Sequence, residues 1–155
     1  MNDFPLSASE RATMNDSPPR DLISLADDEG NSVTVRVLGR SPTWASGLDA
    51  EIAVRTPFVS GRLDLPLSVA DLNSWGDALD RLDADEDVAW REMSRGPSLF
   101  VQLVGERECP EVIVEDEGGS MVTVRVPLVP PDDWIAAHRR HLRRVMEHWV
   151  PMLTG

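Results

Sequence analysis

The sequence predicts an α+β domain: a curved antiparallel sheet of about eight strands with two helices packed on one face. Three observations lead there. Short runs that alternate apolar and polar residues lie on both sides of a central segment whose apolar residues recur at helical spacing. A second helical stripe closes the chain. The connections between strand runs are too short for parallel crossovers, except where the central helix intervenes.

Residues 1–20 are rich in Ser, Asp, Asn and Pro and read as a flexible N-terminal tail ahead of a single domain over 21–155. The tripeptide Met-Asn-Asp returns at Met14, which makes Met14 a candidate translation start. Leu22, Ile23 and Leu25 lead through the turn Asp27-Asp28-Glu29-Gly30-Asn31 into Val33, Val35 and Val37, the pattern of a hairpin. Pro42 and Gly47 bound a loop holding Trp44, and strands over about 48–55 and 58–65 follow, separated by Thr56-Pro57. Ser68 with Asp71 three residues on is a capping-box variant that opens a helix. Its stripe is Val69, Leu72, Trp75, Leu79 and Leu82, and Gly76 costs it about 1 kcal/mol relative to Ala. Beyond the acidic run Asp83 to Asp87, short strands resume at 88–90, 99–104, 112–114 and 122–126. Pro130-Pro131 stop the sheet, Asp132 or Asp133 caps a last helix from about Trp134 to Val150, and Pro151 ends it.

One stretch echoes another: Asp28 to Val37 returns as Asp116 to Val126 with one residue inserted. A duplicated strand-and-helix unit is one reading, and independent use of the same turn chemistry is the other.

Composition narrows the chemistry. The 27 acidic residues outnumber 15 basic ones, for a formal charge of −12, which repels phosphate backbones and anionic membranes and argues against nucleic acid as a ligand. All the basic residues are Arg, and Lys and Tyr are absent, so Lys nucleophiles, Schiff bases and phenolic acids are excluded. The lone Cys109 cannot form an internal disulfide, and the first twenty residues lack a secretory apolar run; both point to the cytoplasm.

His138, His141 and His148 share the last helix, and His138 and His141 at i,i+3 spacing are a metal-ligand pair that lacks a third member. His138 falls inside the apolar stripe, which favours a packed histidine with one nitrogen bonded. Arg139, Arg140, Arg143 and Arg144 form a basic face that suits either an acidic partner or the chain's own carboxylates. The carboxylates cluster at turns, with no Gly-rich loop, nucleophile elbow or zinc motif beside them. Their collective property is a negative surface able to steer a basic protein, and of the clusters Asp27 to Glu29, Asp83 to Asp87, Glu106/Glu108 and Glu115 to Glu117 the one with most carboxylates is Asp83, Asp85, Glu86 and Asp87. Trp75, Trp134 and Trp149 sit in helix stripes, whereas Trp44, in a loop among Ser and Pro, is the aromatic best placed for an interface.

The runs Leu22 to Asp27, Val35 to Arg40, Leu48 to Ile52, Phe58 to Leu63, Asp71-Leu72 with Trp75, Val122 to Leu128, and Trp134-Ile135 with His138 resemble a family of small, acidic, actinobacterial-type proteins of unknown function, over about 21–151. That resemblance implies no catalytic residues. The order of a Phe-x-x-Gly-x-Leu strand, an acidic-start helix and a terminal helix is more loosely similar to immunity proteins of bacterial polymorphic toxin systems, which bind and block a cognate toxin. The expectation is a non-enzymatic cytoplasmic protein-binding module without cofactor, using Trp44, Asp83, Asp85, Glu86 and Asp87 against a basic protein partner. The alternative is a small Asp/Glu- and His-dependent hydrolase or metal-binding enzyme.

Overall fold

The computed structural model describes residues 17–92, 94 and 96–153. Eight strands and two helices follow in the order β1 Asp21–Ala26, β2 Ser32–Arg40, β3 Gly47–Arg55, β4 Ser60–Ser68, α1 Val69–Asp83, β5 Val88–Trp90, β6 Ser98–Gln102, β7 Glu111–Glu115, β8 Thr123–Pro127 and α2 Trp134–Trp149, with a 3₁₀ turn over Val150–Met152. The α+β class stands, and its eight antiparallel strands divide between two open four-stranded meanders, β1-β2-β3-β4 and β5-β6-β7-β8. The described residues thus form two successive units of four strands and a helix. The echoed hairpin is β1–β2 in the first unit and β7–β8 in the second. The echo therefore links positions that are not equivalent between the two units, as independent turn chemistry would.

All eight strands and both helices contribute to a single apolar cluster. Alternation supplies it from the strands, with Val33, Val35 and Val37 of β2 and Leu48, Ala50, Ile52 and Val54 of β3 turned inward. The second sheet lies across the first. Val112, early in β7, shares a cavity with Leu25 of β1, whereas Val114 and Asp116, at its end, share one with Ser60 to Leu63 of β4.

The capping box at α1 forms as its sequence requires: Asp71 N–H donates to Ser68 Oγ at 3.1 Å and Ser68 N–H to Asp71 Oδ2 at 2.9 Å. The same residue anchors β5. Trp90 Nε1 donates to the Asp71 carbonyl at 2.9 Å, and buried Arg91 lies 3.6 Å from Asp71 Oδ1. Gly76 has a packing reason, since a Cβ there would stand 3.2 Å from Leu142 of α2. Arg139 crosses the same helix pair to Asp80 at 3.0 Å and Asp83 at 3.3 Å. Asp133 occupies the N-cap of α2 without a side-chain hydrogen bond, and Pro151 falls in the closing 3₁₀ turn.

Helix α2 covers the open edge of β1. Ser24 N–H donates to His138 Nε2 at 3.0 Å, and Trp149 Nε1 donates to the Pro19 carbonyl at 2.8 Å. Of the tail expected over residues 1–20, the first sixteen lie outside the described residues, and Arg20 is already held by the Val37 and Leu38 carbonyls.

Candidate functional site

The structure separates the residues singled out in the sequence. Trp44 is 39% exposed and folds back on its own loop, where its ring occupies the space a Cβ at Gly47 would need. Gly47 pairs with Ser68 at the start of α1, whereas the acidic run follows the end of that helix, about 22 Å along its axis. Within the run, Asp83 is paired with Arg139, and Asp87 Oδ1 accepts from Leu103 N–H at 2.8 Å, tying the start of β5 to the end of β6. Asp85 sits at φ 62° in the turn, and Asp85 and Glu86 are exposed.

The histidines are built into the scaffold. The Trp134 carbonyl can only accept, so His138 Nδ1 carries the proton and donates to it at 2.6 Å, leaving Nε2 to accept from Ser24. Both nitrogens are engaged, one more than the sequence led us to expect. Burial holds the His138 pKa below its ordinary value; the Trp134 contact opposes this and His141 adds to it. The His141 pKa is lowered too, first by burial, with Arg144 and Arg140 lowering it further and Asp21 opposing them. Ring contacts run from Trp90 through Trp75 and His138 to His141, which marks this group as core packing between the helices. Among the described residues no group of three or more His, Cys, Asp or Glu is arranged to hold a metal.

A different constellation forms where three hairpin tips meet. Gly30 of the β1–β2 tip lies beside Pro57 of the β3–β4 tip, where a Cβ added at Gly30 would stand 3.8 Å from the proline ring. Val59 to Leu63 then share a groove of about 230 Å³ with Asp116, Ser120, Val122 and Val124 of the β7–β8 hairpin. Each tip is rigidly made. Asp27 accepts from the amides of Glu29 and Asn31, and Asp116 from the amide of Ser120 at 2.8 Å. For Asp27, slight burial works to raise the pKa, but the Asn31 side chain and the turn amides hold it below the usual carboxylate range; for Asp116 the Ser120 amide and hydroxyl have the same effect. Thr56 Oγ1 accepts from the amides of Phe58 and Val59 and donates to the Val59 carbonyl.

On this frame large apolar side chains face solvent: Phe58 at 95%, Met121 at 81%, Val122 at 54% and Val59 at 37% exposure. Met121 adopts φ 65°, a left-handed conformation that costs a side chain of this size about 1 kcal/mol or more and recurs at functional sites. Asp27, Asp28, Glu29, Asp116 and Glu117 belong to the same tips. The sequence carried a signal for this surface that alternation alone does not register, namely an aromatic directly after Thr-Pro in a turn and a Met between Ser120 and Val122. Rigid loops bearing exposed apolar groups in an acidic setting can bind another macromolecule, since such groups are otherwise costly to leave in water.

Fold and surface together define a two-sheet α+β domain that gathers three of its hairpin tips into one acidic, apolar-tipped end. The model of a family of unknown function (DUF5959) matches residues 20–150, and the chain belongs to that family. No curated protein and no solved structure matches the chain. No helix among the described residues is long and apolar enough to cross a membrane.

Proposed function

We propose that this protein is a non-enzymatic binding module that docks a basic protein partner through its hairpin-tip end. The observation that carries the reading is the set of exposed side chains Phe58, Val59, Met121 and Val122, held on hydrogen-bonded turns among the carboxylates of the same tips. The apolar groups supply contact area at little ordering cost, because the turns are already fixed. The charge of −12, to which the run Asp83 to Asp87 contributes, steers a basic partner towards the domain. Trp44, at the other end of the first sheet, is then a loop cover. The looser likeness to immunity proteins supports a toxin as the class of partner and a reducing cytoplasm as the place of encounter.

The test places a photo-crosslinking residue at position 58 and, as a control, at exposed position 49 on the outer face of β3. In host extract, position 58 is expected to capture a protein of basic pI that position 49 does not. The purified partner should then bind the Phe58→Ser/Met121→Ser variant at least about tenfold more weakly than wild type. Equal capture at position 49, or unchanged affinity of the double variant, overturns the reading.

A further inference from the structure

A second cavity, of about 220 Å³, opens beside the β1–β2 tip, between the start of that turn and the far end of the second sheet. Leu25 of β1, two residues before Asp27, forms part of its wall together with Val101, Leu128, Pro130 and Trp134. Among these apolar surfaces stands one carboxylate, Glu111, whose side chain is only 3% exposed. Arg125 donates to its Oε2 at 3.2 Å from the half-exposed side; Oε1 accepts no hydrogen bond among the described residues. The mouth is open, since Val129 at its rim is 64% exposed and Asp132 beside it is an exposed second carboxylate.

We propose that this cavity is a pocket for a basic side chain, an alkyl stem ending in a guanidinium or ammonium, supplied by the docked protein. The inference rests on the docking reading for the source of that side chain, but its chemistry can be tested on this protein alone. Three features favour a cation with an apolar stem over a neutral or anionic group. The stem replaces water against Leu25, Val101 and Leu128. A cation meets two carboxylates, Glu111 and Asp132, with Arg125 offsetting only part of their charge. Trp134 offers an aromatic wall to a cation. At about 220 Å³ the space lies below the range of pockets that hold drug-sized ligands, and it suits a single side chain. Gly105 belongs to the same design, because a Cβ there would come within 2.5 Å of the Glu111 side chain and displace it.

The probe is n-butylguanidinium, with its uncharged isostere N-butylurea as control and n-butylammonium as a second cation. The readout is the indole N–H resonance of Trp134 in the intact protein. A ligand of this size is expected to saturate with a Kd on the order of 1 mM. Both cations should shift the resonance saturably and N-butylurea should not. Glu111→Gln should weaken the cations about tenfold. Val129→Phe, which narrows the exposed rim and leaves Glu111 in place, should weaken them as well and covers the case in which the Glu111 variant does not fold. Saturation by N-butylurea equal to that by n-butylguanidinium, unchanged cation affinity in Glu111→Gln, or no saturable shift of Trp134 overturns the pocket while leaving the hairpin-tip surface to stand or fall by its own experiment.

Discussion

Mild acidification should loosen the domain through His138. In the folded protein its Nε2 accepts from Ser24 N–H, so an added proton would set two donors face to face inside the core. The folded pKa therefore lies below the unfolded value of about 6.5. As pH falls through that value the unfolded chain takes up a proton that the folded chain declines, and stability drops until the folded pKa is reached. Between pH 7.5 and 5.5 the loss from a single such site is bounded by about 1.4 kcal/mol, which for a chain of this size caps the change at about 3–6 °C in melting temperature. His141 adds a smaller loss of the same sign because it is more exposed. The carboxylates whose pKa is lowered, Asp27 and Asp116, act only at lower pH, where their stabilisation is lost as they protonate, so this window isolates the histidines. Urea unfolding of wild type and His138→Gln at both pH values measures the difference in slope. Parallel stability curves for the two proteins, or a wild type no less stable at pH 5.5, would refute the assignment of His138 as a neutral, doubly engaged histidine.

Three further outcomes are expected. Gly47→Ala should expel the Trp44 ring, red-shifting its fluorescence and costing about 1–3 kcal/mol by thermal unfolding. Asp71→Ala removes the reciprocal cap of α1 and a carboxylate beside buried Arg91, and should cost about 3 kcal/mol in the same assay, more than the typical ~1 kcal/mol of an exposed cap. Phe58→Ser and Met121→Ser, by contrast, should leave the unfolding free energy from urea titration within about 0.5 kcal/mol of wild type, because both side chains are already in water.

The elements were legible because each has a local cause. Alternation marks β2 and β3, the Ser68–Asp71 spacing marks the start of α1, and the acidic Gly-containing turns mark the hairpins. The division of eight strands into two sheets has no local cause. The place of α1 between β4 and β5 was readable, but whether β5 to β8 extend the first sheet or, as here, form a second one with β7 running across it is decided by tertiary packing. For the same reason, composition directed attention to Asp83 to Asp87, the acidic run with most carboxylates, while the meeting of residues near 30, 58 and 120 was invisible. The placement of His138 on the apolar stripe was readable from helical periodicity; its bond to Ser24, more than a hundred positions away, was not.

The clasp between α2 and β1 bears on how the polypeptide is made. Among the described residues, β1 has one strand neighbour, β2, and during synthesis it waits for α2 to cover its other flank and supply the Ser24 and Pro19 contacts. A nascent chain stalled anywhere before Trp134 therefore leaves that border bare, a template for pairing with other chains. Stop codons late in the gene should accordingly yield aggregated protein rather than a shortened working domain.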